Sequence, residues 1–198
     1  MRKLLLSASA LVLALVLFTG CSAFLEGFKE GFEEAQEKLS SSDSAKSDSA
    51  DNDSASKSSS SGLSVDFPDT WKETELNDIA ILEMSRVAKE QYMIVIEEDG
   101  SNLNNDFTLG DYTEIIKNNM TGAVEDAEVS TLSDVTIDGR LTTKQFELSG
   151  SVQKIKVKYL VTCMKNDNTF YQFISWSTQS KYAEAKPVFE SILKTVTF

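Results

Sequence analysis

Apolar and polar positions change their period repeatedly along this 198-residue chain. Leu4 to Phe18 is a run of 15 uncharged residues behind Arg2 and Lys3. Phe24, Leu25, Phe28, Phe32, Ala35 and Leu39 then fall near one stripe at helical spacing, which predicts an amphipathic helix over residues 22–39. Residues 40–62 hold no apolar side chain larger than Ala, and 12 of these 23 residues are Ser. Such a stretch cannot bury a core, so a disordered tether is expected, spanning roughly 24–29 Å on average as a flexible coil. Residues 63–198 are dense in apolar positions and carry 14 aromatics in 136 residues, enough for one globular domain.

Within that domain the pattern predicts strands over 63–67 (ended by Pro68), 79–85 and 92–98. Thr108 reads as the N-cap of a helix over 109–121 with Leu109, Tyr112, Ile116 and Met120 on its apolar side. Strands follow over 127–131 and 135–137, and Asp138-Gly139 signals a hairpin into 141–149. Gly150-Ser151 is expected to turn into 152–165, and Asn166-Asp167 into 168–178. Those turns place Phe146 opposite Ile155, Val157 opposite Trp176, Tyr159 opposite Ile174 and Cys163 opposite Phe170. Both registers collect Ile155, Val157, Tyr159, Val161 and Cys163 on one apolar face. The other face of the same strand carries Lys154, Lys156 and Lys158, with Ser175 and Ser177 opposite Lys158 and Lys156, and is expected to be partly wet. Ser180 is a candidate cap for a closing helix to residue 194, with Pro187 breaking it or starting its second part, and residues 195–198 suit a short edge strand.

The N-terminal run is too short for a bilayer span of roughly 20 residues but suits the apolar region of a signal peptide. It ends Leu17-Phe18-Thr19-Gly20-Cys21, which resembles the lipobox of bacterial lipoproteins, with Phe18 where that family usually has Leu. The resemblance implies cleavage after residue 20 and a diacylglyceryl group on Cys21, placing the protein on the extracytoplasmic face of the cell membrane. Two acyl chains hold stably where one binds only marginally. With Cys21 lipidated, Cys163 is the one remaining cysteine and no internal disulfide is possible. Residues 22–39, just beyond the lipid, then read as a partly ordered juxtamembrane stretch, an interfacial helix, or a helix that grips a protein partner.

Charge and composition narrow the chemistry. Net charge is −12 from 19 basic and 31 acidic residues, a balance that disfavours nucleic acid as a partner. The chain has no histidine, which removes the commonest general base and the commonest zinc ligand. Cys163 alternates onto the apolar face, where core packing rather than nucleophilic chemistry is expected. The run Glu97, Glu98, Asp99, Asn102, Asn104, Asn105 and Asp106 gathers oxygen ligands but lacks the alternation of a calcium loop, so no metal and no cofactor are expected. Charge is also segregated: residues 63–138 hold 18 acidic and 4 basic groups, and residues 139–198 hold 4 acidic and 9 basic. Lys154, Lys156 and Lys158 are therefore the candidate docking stripe for an acidic protein or an anionic cell-surface polymer, against the plainer reading of a solvated strand face.

The opening Val65-Asp66-Phe67-Pro68-Asp69-Thr70-Trp71, the strand–helix–meander order and the closing Tyr182…Phe189…Ile192-Leu193-Lys194 resemble the PsbP-like superfamily. That superfamily includes photosystem II extrinsic proteins, Ran-binding Mog proteins and bacterial DcrB-type lipoproteins. The resemblance covers residues 63–198 and implies an α+β fold, an antiparallel sheet flanked by helices in an α/β/α sandwich, with no shared activity. The expectation is a lipid-anchored, non-enzymatic binding module. The alternatives are a carrier for a small apolar ligand and a carboxylate- or metal-dependent hydrolase.

Overall fold

The computed structural model describes residues 54–58, 62–104, 106–137 and 141–198. The export segment, Cys21, the amphipathic stretch 22–39 and most of the Ser-rich stretch lie outside the described residues. The elements in chain order are β1 (Ser54–Ser58), β2 (Ser64–Pro68), β3 (Lys72–Glu73), β4 (Leu82–Arg86), β5 (Gln91–Asp99), α1 (Leu109–Ala123), β6 (Glu125–Val129), β7 (Ser133–Ile137), β8 (Leu141–Val152), β9 (Ile155–Asn166), β10 (Thr169–Thr178) and α2 (Tyr182–Leu193). A turn of 3₁₀ helix at Val87–Lys89 leads into β5.

Eight strands make one antiparallel sheet in the order β3-β4-β5-β10-β9-β8-β6, with β7 also paired to β8. The 12-residue β8 is long enough to carry β7 along its first half and β6 along its second. The remaining pair, β1–β2, starts at Ser54 opposite Pro68. Five residues of the Ser-rich stretch are thus in a strand rather than without structure. Their ladder needs only backbone groups, so the absence of large apolar residues does not forbid it. The chain end returns to the same place, where Ser64 and Thr197 exchange N–H···O bonds of 2.9 and 3.0 Å.

Among the described residues two helices form, the first through a local cap and the second through packing. Thr108 accepts from the Asp111 N–H at 3.1 Å, and Asp111 reaches back to the Thr108 N–H at 2.9 Å, a complete capping box for α1. Helix α2 starts after Lys181 without a side-chain cap and runs unbroken through Pro187. Packing carries it across the proline: Tyr182, Ala185, Phe189, Ile192 and Leu193 are all buried along one side.

The central meander differs from expectation in register but not in parity. The β8–β9 turn lies at Gln153-Lys154, both with positive φ (51° and 71°), so Phe146 sits opposite Val161 rather than Ile155. Moving the turn three residues outward extends the ladder and buries Val152 and Val157. Gly150 is needed for a close approach instead: a Cβ there would lie 2.5 Å from the Glu125 carbonyl oxygen and 2.5 Å from Val124. The β9–β10 turn lies one residue later than expected, which moves each pairing by two residues and places Trp176 opposite Tyr159, Ile174 opposite Val161 and Gln172 opposite Cys163. Each error shifts both strands together, so alternation survives and the expected apolar set stays on one face.

That face packs under α1, with Phe146, Tyr159, Val161, Ile174 and Trp176 against Tyr112, Ile116 and Met120. The opposite face is not wet along its length. Leu160, Met164, Tyr171, Phe173, Met93 and Val95 are buried under α2 and β2. On β9 that face opens to solvent at its start, where Lys156 is exposed and Lys158 half-buried. The result is a three-layer α/β/α arrangement with a separate core on each side of the sheet.

Candidate functional site

The three lysines of the candidate stripe do not form one row. Lys154 is in the turn, Lys156 lies opposite Ser151, and Lys158 lies opposite Ser149. Lys158 is engaged: its Nζ is 2.7 Å from Glu147 Oε2 and 4.8 Å from the centre of the Tyr182 ring. Glu147 also receives Lys186 from α2 at 2.6 Å, which ties the helix to the sheet. Burial alone would raise the Glu147 carboxyl, but the hydrogen bonds from Lys158 and Lys186 outweigh it and hold the group below the ordinary carboxylate range. The same bond from Glu147 holds Lys186 above the usual lysine value.

A further exposed lysine, Lys181, stands just before α2. The Gln179 N–H donates to the Lys156 carbonyl at 2.9 Å, so the start of α2 runs beside the start of β9. Lys154, Lys156 and Lys181 are exposed and have no ion-pair partner among the described residues. Sequence reasoning missed Lys181 because nothing in the local pattern shows which strand end a helix start will meet. Ser177 lies opposite Lys158 rather than Lys156, and its Oγ donates to the Thr178 carbonyl at 3.1 Å; Ser175 lies opposite Leu160, fully buried.

Several carboxylates are spent on local structure. Glu98 accepts from the Tyr112 hydroxyl and from Gln172 Nε2 at 2.8 Å, and Gln172 also donates to the Tyr112 oxygen at 2.8 Å. This triad pins α1 to β5 and β10. Glu83 accepts the backbone N–H of Leu76 and, at 2.7 Å, that of Asn77. Asp99 accepts both Ser101 donors, whose side-chain bond first and backbone bond second hold its carboxyl low. Among the described residues no three His, Cys, Asp or Glu side chains converge as metal ligands. Cys163 is fully buried, and burial pushes its thiol up to about 12.

A groove of about 480 Å³ lies between β2 and α2. Pro68, Trp71, Arg86, Pro187, Val188 and Ile192 are among the residues that line it. Trp71 is packed between Phe67 (5.7 Å between ring centres) and Phe189 (6.3 Å), and its buried indole N–H has no hydrogen-bond partner among the described residues. The Phe-Pro…Trp element noted in the sequence thus wedges α2 against β2.

No protein-family profile matches the chain, and no curated protein matches it. Solved structures do. The solution structure of cyanobacterial PsbP (CyanoP) from Synechocystis sp. PCC 6803 superposes with a TM-score of 0.55 at 14% identity, over 78% of this chain and 97% of that one. LpqN of Mycobacterium tuberculosis, described as involved in cell envelope biogenesis, superposes with a TM-score of 0.51 at 12% identity, over 69% of this chain and 82% of that one. The domain therefore has a PsbP-like α+β fold. No helix among the described residues is long and apolar enough to cross a membrane.

Proposed function

We propose that this chain is a cell-envelope protein held on the extracytoplasmic face of the cell membrane by a diacylglyceryl group on Cys21, with a domain that acts as a non-enzymatic binding module for an anionic partner. The observation that carries this reading is where the charged side chains are used. Glu83, Glu98 and Glu147 are occupied by hydrogen bonds within the fold. Lys154 and Lys156 at the start of β9, and Lys181 just beyond the paired end of β10, have no ion-pair partner among the described residues. Unpaired cations on a rigid strand end steer and hold an acidic surface at little cost in ordering. Side chains pack both faces of the sheet, including Ile174 on one side and Phe173 on the other. The PsbP-like fold that the chain shares with LpqN fits an envelope address.

The test has two arms. Charge reversal at Lys154, Lys156 and Lys181 (each to Glu) in the mature chain should weaken retention on poly(glycerol phosphate) by about tenfold or more at low salt, and retention of the native chain should fall as salt rises. Equal retention by the variant and the native chain rules the docking surface out. For the anchor, Cys21→Ser should release the protein from the membrane fraction, and continued sedimentation with membranes counts against lipidation.

A further inference from the structure

The groove between β2 and α2 lies where the chain enters the domain. Ser54, the first residue of β1, pairs with Pro68, and Pro68 lines the groove. Everything upstream of residue 54 therefore departs from the groove rim. That upstream chain contains one stretch of large apolar side chains between Cys21 and the domain, the stripe Phe24, Leu25, Phe28, Phe32 and Leu39. We propose that residues 22–39 dock in this groove of their own chain, with Phe28 and Phe32 seated against Trp71, Val188 and Ile192.

Size and reach agree on this occupant, and cations are at hand for its acidic side. The volume of about 480 Å³ is within the range of sites that enclose drug-sized apolar groups, and an amphipathic helix laid in a groove presents its anchors at four-residue spacing, as Phe24, Phe28 and Phe32 do. The segment carries Glu26, Glu30, Glu33, Glu34 and Glu37 against Lys29 and Lys38. Arg86 lines the groove together with Asp66, and the chain neighbours of the lining residues include Lys72 and Lys194 as well as Asp69 and Glu190. None of these three cations has an ion-pair partner among the described residues. The acidic side of the segment meets them once its phenyl rings are seated.

Only residues 40–53 separate the segment from Ser54. A Ser-rich coil of that length spans roughly 19–22 Å, which is ample when its far end starts at the rim. Linkage of this kind sets an effective concentration of about 1 mM. A segment that binds with a Kd of about 0.1 mM when separate is then docked about 90% of the time. With Cys21 in the bilayer, docking draws the domain up to the membrane surface and leaves the linker as a slack loop. Undocking releases the domain to the full reach of the leash.

The experiment uses the mature chain, residues 21–198, carrying a spin label on the unlipidated Cys21. The buried Cys163 thiol does not compete for the label. Docking predicts that the label broadens the amide signals of Val188 and Ile192 while leaving those of β7, on the far edge of the sheet, sharp. The double variant Phe28→Asp/Phe32→Asp should abolish the broadening and shift the Trp71 indole N–H signal, with the Trp176 signal unmoved. Both substitutions lie outside the folded domain, so loss of fold does not confound them. Absence of broadening in the labelled native chain overturns the proposal. So does broadening that passes from labelled to unlabelled chains in a mixture, which assigns the groove to a second copy. A third arm places the lipidated chain in phosphatidylcholine vesicles: a Trp71 signal identical in native and variant chains means the bilayer has taken the segment, and the proposal fails.

Discussion

Phe173 and Ile174 are neighbours in β10 that point to opposite sides of the sheet, and they test the three-layer arrangement directly. Phe173 is 1% exposed in the core under α2, and Ile174 is 3% exposed in the core under α1. Ile174→Ala removes three carbons, about 2.4 kcal/mol at roughly 0.8 kcal/mol each, before any cavity term. With the cavity included, Ile174→Ala should cost about 3–4 kcal/mol and Phe173→Ala about 3–5 kcal/mol. For a domain of this size each kcal/mol lowers Tm by about 3–4 °C, so both variants should melt about 10 °C or more below the native chain. Urea titration followed by tryptophan fluorescence gives the free energies, with an unchanged slope as the check that both variants still unfold from the same native state. If either substitution abolishes folding, Phe173→Leu and Ile174→Val carry the comparison at about 1 kcal/mol. Val129→Ala, on a side chain 39% exposed, serves as control and should cost under about 0.5 kcal/mol. A sheet packed on one side only would make one of the two neighbours nearly free. A cost below about 1 kcal/mol for Phe173→Ala would refute the packing of α2 on the sheet.

Three further outcomes follow from particular contacts. Cys163, with its thiol pushed up to about 12 by burial, should resist thiol reagents at pH 8 in the native state and react at once in urea; labelling of the folded protein at the rate of a free thiol contradicts its placement. Glu147 is held low by Lys158 and Lys186, so its pairing stabilises the fold above the unfolded glutamate pKa and that contribution fades as pH falls through the folded value. The melting difference between native chain and Glu147→Gln should therefore be largest near neutral pH, about 1 kcal/mol or less for groups this exposed, and should close below about pH 4; a gap that widens in acid refutes the pairing. Gly150→Ala forces a methyl group to within 2.5 Å of the Glu125 carbonyl oxygen and should cost about 1–3 kcal/mol by displacing β6 from β8, read as faster amide exchange in β6 with the β9–β10 core unaffected.

The elements that could be read from the chain are those whose signal is local. The Thr108 cap, the α1 stripe of Tyr112, Ile116 and Met120, and the alternation of β9 each involve residues a few positions apart. Turn placement was less legible, because Gly150 invites a turn in any sequence reading while the structure needs it for the passage of β6. Gln153 and Lys154 take the turn at positive φ because three more ladder steps outweigh the strain of two side chains there. The second core was visible in one place: β10 reads Phe170-Tyr171-Gln172-Phe173-Ile174-Ser175-Trp176, too apolar for a strand with one wet face, and residues 170–177 are all buried. Lysines on the preceding strand masked that signal, since Lys156 and Lys158 share a side with Leu160 but lie where the covering helix begins, Lys158 against its first residue, Tyr182. Of the candidate surface, Lys154 and Lys156 stood in the sequence, whereas the arrival of Lys181 and the capture of Lys158 by Glu147 depend on how α2 lies on the sheet.

The β1–β2 pair has a mechanical consequence. Ser54 and Pro68 form the open end of this hairpin, and a pull transmitted from an anchored N-terminus arrives at Ser54. Load applied there breaks ladder bonds one after another instead of all together, so the pair should unzip at lower force than the eight-stranded sheet. Peeling the five residues of β1 lengthens the attachment by about 16–18 Å. In a chain held at Cys21 as proposed, drag would extend this short ribbon first, and re-pairing on slackening would restore the original length.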